Sequence, residues 1–149
     1  MALLDPLRRR LAWWILALVP IGLATKCYEG PASSWVGGQL GGVLYVVFWV
    51  VVAVFLWPKL RPWATAAAVL LVTSSLEFLQ LVQNPALDAI RGTFLGQALI
   101  GSTFSWWDLP YYSLGAAAGF AVVRYCSTSK PGPTAGAALF QAEQRKKRS

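Results

Sequence analysis

The sequence predicts an all-α fold: a polytopic membrane protein with four transmembrane helices and a short helical cap between the third and the fourth. Of its 149 residues 56% are hydrophobic, the mean hydropathy is +0.52, and only 13% are charged. Soluble domains carry about twice that share of charge, roughly 25%. Because one span needs about 20 apolar residues, this length accommodates about four spans and no separate soluble domain of useful size.

The apolar stretches define the predicted spans. They cover roughly residues 11–28, 40–57, 63–82 and 109–125. We expect them to form one transmembrane domain over residues 1–126. Small and polar residues then dominate before a polybasic end, which predicts a disordered basic tail over residues 127–149.

Basic residues are distributed unevenly about these spans. All 13 Lys and Arg residues, except Lys26 and Arg91, precede the first span, lie between the second and third, or follow the fourth. This positive-inside pattern predicts that both termini are cytoplasmic. We therefore expect a multi-pass membrane protein, and the net charge of +7 reflects topology and not nucleic-acid binding.

The first span has a second interpretation as a cleaved signal peptide. Three arginines precede an apolar run from Leu11 to Ala24, and small residues, Gly22 and Ala24, stand before a cut site. Cleavage would leave three spans and still a cytoplasmic C-terminus. Charge counting therefore leaves both interpretations open.

A polar stripe crosses the third span. Thr73, Glu77, Gln80 and Asn84 follow the spacing of one helix face. A carboxylate at membrane depth costs about 2.5–3.5 kcal/mol, so Glu77 is expected to serve a purpose there. Such a stripe must face protein or trapped water, which predicts a polar pocket in the outer half of the bundle.

Residues 84–107 are too polar to span a membrane and too apolar for an ordinary loop. We predict a short re-entrant or interfacial cap made of two helical pieces that fold back toward the third span. Arg91 would then reach Glu77 or Asp108, since a guanidinium binds a carboxylate through two parallel hydrogen bonds. The predicted pocket residues are Glu77, Gln80, Arg91, Asp108, Trp107 and Tyr111.

Glycines spaced four residues apart mark two helix contacts. Gly37 with Gly41, and Gly115 with Gly119, let helix backbones approach closely. We expect these contacts within one chain, with dimerisation between chains as the alternative.

The sequence offers few groups for catalysis. It has no histidine, and its two cysteines, Cys27 and Cys126, fall at opposite ends of the predicted bundle, too far apart for a disulfide. The sequence has no cluster of Cys and His residues at the spacing of a zinc site, and no nucleophilic side chain beside a general base. We expect no catalytic residue, metal or cofactor.

Several runs carry a family resemblance. Residues 76–81, 90–96, 101–108 and 111–112, with residues 20–26, 30–31 and 35–36 before them, resemble the bacterial domain-of-unknown-function 2809 family of small multi-pass membrane proteins. The resemblance implies a location in the bacterial cytoplasmic (inner) membrane. The likeness extends over roughly residues 8–125 and argues against cleavage near Ala24. Glu77, Gln80, Arg91 and Asp108 are also similar to elements of the VanZ-like family, although its histidine is missing here. Neither resemblance implies a settled activity.

Two function classes follow. The first is a non-enzymatic binding or scaffold protein whose outer-leaflet polar pocket takes a lipid headgroup, a lipid-linked envelope precursor or a partner. Its expected partners are membrane lipids and either a second copy of the chain or another membrane protein, but no nucleic acid. The alternative is a small oligomeric proton- or ion-coupled transporter that uses Glu77.

Overall fold

A computed structural model of the chain describes residues 5–82, 84–93, 96 and 104–128. Regular structure within these ranges is helical and includes no β-strand, so the all-α prediction is confirmed. The helices are α1 (Pro6–Lys26), α2 (Ser33–Leu56), α3 (Pro62–Leu79), α4 (Pro85–Arg91) and α5 (Asp108–Thr128).

Proline residues mark the start of three helices. Pro6, Pro62 and Pro85 occupy the first turn of α1, α3 and α4, where a missing amide hydrogen leaves no intrahelical bond unmade. Asn84 caps α4, because its side-chain oxygen accepts a hydrogen bond from the backbone N–H of Ala86 at 2.9 Å.

Within the part of the chain that the structure describes, two helices are long and apolar enough to cross a membrane. They are α2 with 24 residues and α3 with 18 residues. Both carry mainly apolar side chains, and much of each surface faces outward from the bundle. These features indicate association with a membrane, which is a coarser statement than the predicted four spans.

Helix boundaries differ from the predicted spans at several places. α2 begins at Ser33, before the predicted start, because the glycine-rich stretch Val36–Leu40 is a turn of π-helix that continues into the apolar run. α3 ends at Leu79, whereas apolar residues continue to Val82. α5 continues through Thr128, so the first residues of the predicted tail are helical. Residues 129–149, and most of the second predicted piece of the cap, lie outside the described residues.

The core lies where α5 packs against α2, the most extensive helix contact of the described chain. Val46 and Val50 of α2 and Val123 of α5 are fully buried there. A Cβ atom at Gly115 would lie 2.7 Å from the Val43 carbonyl oxygen, and one at Gly119 would lie 2.9 Å from Val50 Cβ. These two glycines therefore allow α5 to approach the α2 backbone within one chain.

The other glycine pair faces the end of α1. A Cβ atom at Gly37 would lie 3.4 Å from the backbone oxygen of Thr25, and one at Gly41 would lie 3.4 Å from the Thr25 hydroxyl oxygen. Lys26 secures the same contact, since its Nζ donates a hydrogen bond to the Gly37 carbonyl oxygen at 2.6 Å. α1 and the start of α2 thus meet closely.

The four long helices alternate in direction. At the start of α1, Arg8 Nη2 donates to the carbonyl oxygen of Leu56 at 3.2 Å and Arg10 Nη1 to that of Cys126 at 3.0 Å, which joins α1 to the ends of α2 and α5. We call this the basic end, because it carries Arg8, Arg9, Arg10, Lys59, Arg61 and Arg124. The opposite, acidic end carries Glu29, Glu77, Asp88 and Asp108 beside Lys26 and Arg91.

Candidate functional site

The carboxylate of Glu77 is enclosed at the acidic end, with only 2% of the residue exposed. Its Oε1 accepts a hydrogen bond from the Ser105 backbone N–H at 2.9 Å, and its Oε2 accepts one from the Tyr112 hydroxyl at 2.8 Å. Gln80 Nε2 donates to the same Oε2 at 3.1 Å. Three donors therefore offset much of the cost of burying this group.

These donors come from three separate parts of the chain. Gln80 follows the last residue of α3, Ser105 precedes α5, and Tyr112 lies in the second turn of α5. Gly42 of α2 makes room for the phenol ring, since a Cβ atom there would lie 2.8 Å from Tyr112 Cε1. Glu77 therefore ties α3, the segment before α5, and α5 together.

The polar stripe is shorter than predicted. Thr73 and Glu77 are both buried on one face of α3, and Gln80 follows directly after the helix. The prediction that Asn84 extends this stripe is wrong, because α3 ends at Leu79 and Asn84 instead caps α4. The end of α3 was not predicted because Leu81 and Val82, which follow it, continue the apolar pattern.

The predicted pairing of Arg91 with Glu77 or Asp108 is also wrong. Arg91 forms an ion pair with Asp88 at 3.0 Å. Its Nη2 donates to the carbonyl oxygen of Leu79 at 2.8 Å, and its Nη1 donates to that of Val82 at 3.2 Å. The guanidinium thus binds carbonyl groups at and just beyond the end of α3, where cations are favourable.

This arrangement predicts the outcome of exchanging the charges of Glu77 and Arg91. Each single reversal is expected to destabilise the protein, because one removes the acceptor of three hydrogen bonds and the other removes the cap of α3. The double variant Glu77→Arg with Arg91→Glu should recover none of that loss. Thermal unfolding in detergent micelles measures all three variants, and recovery in the double variant would show that the two side chains interact directly.

Asp108 lies close enough to Glu77 for their charges to interact. It begins α5, immediately before the predicted fourth span. Its backbone N–H donates a hydrogen bond to the Ser105 carbonyl oxygen at 3.1 Å, and the Ser105 N–H in turn donates to Glu77. Glu77, Gln80 and Asp108 are therefore the part of the predicted pocket that the structure brings together.

The aromatic residues of the predicted pocket occupy other positions. The Tyr111 hydroxyl accepts a hydrogen bond from Trp35 Nε1 at 3.2 Å, which joins the starts of α2 and α5. Trp107 is 73% exposed. Trp106 packs edge-on against Phe104 with ring centroids 4.9 Å apart, and against Phe78 at 6.0 Å. These rings form an outward-facing surface beside the enclosed Glu77.

Two partners of Glu77 were not predicted from the sequence. Tyr112 precedes Gly115 by three residues and Gly119 by seven, so it lies on the packed face of α5, and this spacing was the available signal. Ser105 contributes only its backbone N–H, for which no side-chain pattern exists. Within the described ranges, no three His, Cys, Asp or Glu side chains converge as metal ligands.

One family comparison covers this whole site. A family model described as "Protein of unknown function (DUF2809)" matches residues 32–116, more than half of the chain. The chain belongs to this family. The matched DUF2809 region contains Glu77, Ser105 and Tyr112 together with every predicted pocket residue. No solved structure matches this chain.

Membership of DUF2809 confirms the resemblance read from the sequence but assigns no reaction or ligand. The similarity to VanZ-like proteins stays a prediction. What the geometry itself provides is an acidic end in which a buried carboxylate fixes the positions of α3 and α5. A function must therefore be inferred from that end and from its surface.

Proposed function

We propose that this DUF2809 protein spans the bacterial cytoplasmic membrane four times, with both termini in the cytoplasm. In support, α2 and α3 are long and apolar enough to cross a membrane, and α1 and α5, which pack beside them, each contain 21 residues, or about 30 Å of helix including their charged ends. The basic end would lie at the cytoplasmic surface by the positive-inside rule. The acidic end would then face the outside.

The proposed activity is non-enzymatic binding at the acidic end. The observation that carries this proposal is the Glu77 carboxylate with its three donors, because it holds two helices and the segment before α5 in one arrangement. A surface fixed in advance loses less conformational entropy when a ligand binds. Trp106 and Trp107 project from that fixed part, and aromatic side chains supply much of the contact energy in binding sites.

The negative charges of the acidic end disfavour some classes of ligand and favour others. Glu29, Asp88 and Asp108 are acidic, and the guanidinium of Arg91 is already bonded to Asp88 and to backbone carbonyls. A bare phosphate headgroup is therefore disfavoured by like-charge repulsion. The surface better suits the uncharged part of a lipid-linked envelope precursor, or a partner membrane protein that meets Trp106 and Trp107.

Substitution of Trp107 tests this binding role. Native mass spectra of the protein in native-lipid particles would compare wild type, Trp107→Ala and the control Trp57→Ala, whose indole is 61% exposed at the basic end. Loss of a central aromatic anchor should weaken retention of the bound precursor or protein by at least about tenfold in Trp107→Ala only. Equal retention in all three proteins would contradict the proposal.

Proton- or ion-coupled transport is the second candidate. It is favoured by the Tyr112 hydroxyl at 2.8 Å from Glu77, with Asp108 nearby, because such a series of groups is able to pass a proton. Transport requires pH-dependent flux into proteoliposomes that Glu77→Gln abolishes. The binding role instead requires flux no greater than in liposomes without protein.

A further inference from the structure

A groove lies between α1 and α5 at the basic end, far from Glu77. It has a volume of about 540 Å³ and is open along one side. Its lining consists of Arg10, Trp13, Trp14, Ala17, Tyr125 and Cys126. Arg10 links the two walls, because its Nη1 donates a hydrogen bond to the Cys126 carbonyl oxygen at 3.0 Å.

We propose that this groove binds an anionic phospholipid of the inner leaflet, with its phosphate at Arg10 and the first part of an acyl chain along Ala17. The proposal rests on the four-span topology proposed above, which places the basic end at the cytoplasmic surface. It does not depend on a ligand at the acidic end.

Charge favours an anionic occupant. Arg8, Arg9 and Arg10 are consecutive in the first turns of α1, and Arg124 lies beside the groove residue Tyr125 on α5. The partial positive charge of the α1 N-terminus adds to theirs. Guanidinium groups bind phosphate oxygens through paired hydrogen bonds, and basic pockets between helices on the cytoplasmic side recognise anionic headgroups.

The groove residues change in character from the membrane surface toward its interior. Arg10, Trp13, Trp14 and Ala17 follow one face of α1, so the charge comes first, the indoles next, and the small Ala17 deepest. Indole rings favour the headgroup region of a bilayer. The small side chain of Ala17 leaves space in the groove between larger side chains. The exposed Ile21, one turn further along α1, continues the apolar surface. A phospholipid has the same order of phosphate, interface and hydrocarbon.

A substitution that fills the groove at Ala17 tests the proposal without changing any charge. Ala17→Leu would occupy the groove from an exposed helical position, where leucine is well tolerated. Ala24→Leu is the matched control, because Ala24 is exposed on nearly the same face of α1, two turns nearer the acidic end. Arg10→Gln removes the proposed phosphate contact, and Arg61→Gln removes one charge of the basic end outside the groove.

Native mass spectrometry of the full chain in detergent, titrated with dioleoyl phosphatidylglycerol or dioleoyl phosphatidylcholine, measures the binding. We expect wild type, Ala24→Leu and Arg61→Gln to prefer phosphatidylglycerol. Arg10→Gln should bind it at least about fivefold more weakly, which is the effect expected for one basic residue near the surface. Ala17→Leu should also bind it more weakly, because the leucine side chain occupies the space of the acyl chain.

Three results would overturn the proposal. Ala17→Leu binding as tightly as Ala24→Leu would exclude the groove as the site. Equal affinity of wild type for both lipids, or an equal loss for both in Arg10→Gln, would exclude recognition of the anionic headgroup. Trp107→Ala should leave phosphatidylglycerol binding unchanged, so the outcome is separate from that of the proposed ligand at the acidic end.

Discussion

Glu77→Ala is expected to lower the free energy of unfolding by about 3 kcal/mol or more. The substitution removes the acceptor of three hydrogen bonds, from the Ser105 backbone N–H, the Tyr112 hydroxyl and the Gln80 amide. Each buried donor left unpaired costs about 1–3 kcal/mol. Because Glu77 is 2% exposed and its donors are partly buried, water compensates only part of this loss in the folded protein.

Glu77→Gln should lie between wild type and Glu77→Ala. The amide keeps one oxygen and nearly the same volume, but it replaces the second acceptor by a donor. Tyr112 and Gln80 currently share Oε2, while the Ser105 N–H uses Oε1, so one of these donors must turn away or face another donor. We expect a loss of about 1–2 kcal/mol, similar to that of one unsatisfied group.

Unfolding in mixed micelles with increasing denaturing detergent measures both variants. Asp88→Asn is the control, since it also converts an acidic residue of the same end into an amide. The Asp88 side chain is 58% exposed, so its ion pair with Arg91 should contribute no more than about 1 kcal/mol. An equal loss in Asp88→Asn and Glu77→Ala would show that charge at this end, and not the buried hydrogen bonds, supports the fold.

The position of Glu77 was predictable because its burial follows from energetics. A carboxylate within an apolar run must face protein or water, whatever its partners are, and the structure encloses it as that rule requires. The identity of the partners was not predictable in the same way. The sequence pattern favoured Arg91 as the partner of Glu77. In the structure the Tyr112 hydroxyl and the Ser105 backbone N–H bind the Glu77 carboxylate instead.

Two local features explain why the burial of Glu77 was predicted but its partners were not. Leu81 and Val82 continue the apolar pattern after α3 has ended at Leu79, so hydropathy alone extends the helix too far. Once the chain turns there, Arg91 reaches the carbonyl oxygens that the end of α3 leaves open. A similar limit applies at the start of α2, where the π-helical turn Val36–Leu40 contains two glycines and reads as a loop.

Gly115→Ala has the second large expected effect, a loss of about 2–3 kcal/mol. The added Cβ atom would lie 2.7 Å from the Val43 carbonyl oxygen and 2.9 Å from Val46 Cβ. A backbone oxygen within a helix cannot rotate away as a flexible side chain does, so α2 and α5 must separate. Overpacking of a filled core typically costs about 1–3 kcal/mol, and lost contacts between the two helices add to it.

Gly22→Ala is the matched control for this substitution. Gly22 lies within α1, and no atom of the described chain outside its own helical surroundings comes within 4 Å of an added Cβ. Alanine is the better helix former by about 1 kcal/mol, so Gly22→Ala should be neutral or slightly stabilising. The same chemical change is thus expected to have opposite signs at the two sites when unfolding is measured under identical conditions.

The two interpretations of the Gly115 and Gly119 pair differ in how stability depends on protein concentration. If these glycines pack α5 on α2 within one chain, Gly115→Ala lowers stability equally at all protein-to-detergent ratios and leaves the oligomeric mass unchanged. If they instead hold two copies together, the loss grows on dilution and the mass falls, because dimer stability follows mass action. The short distances to Val43 and Val50 of the same chain favour the first outcome.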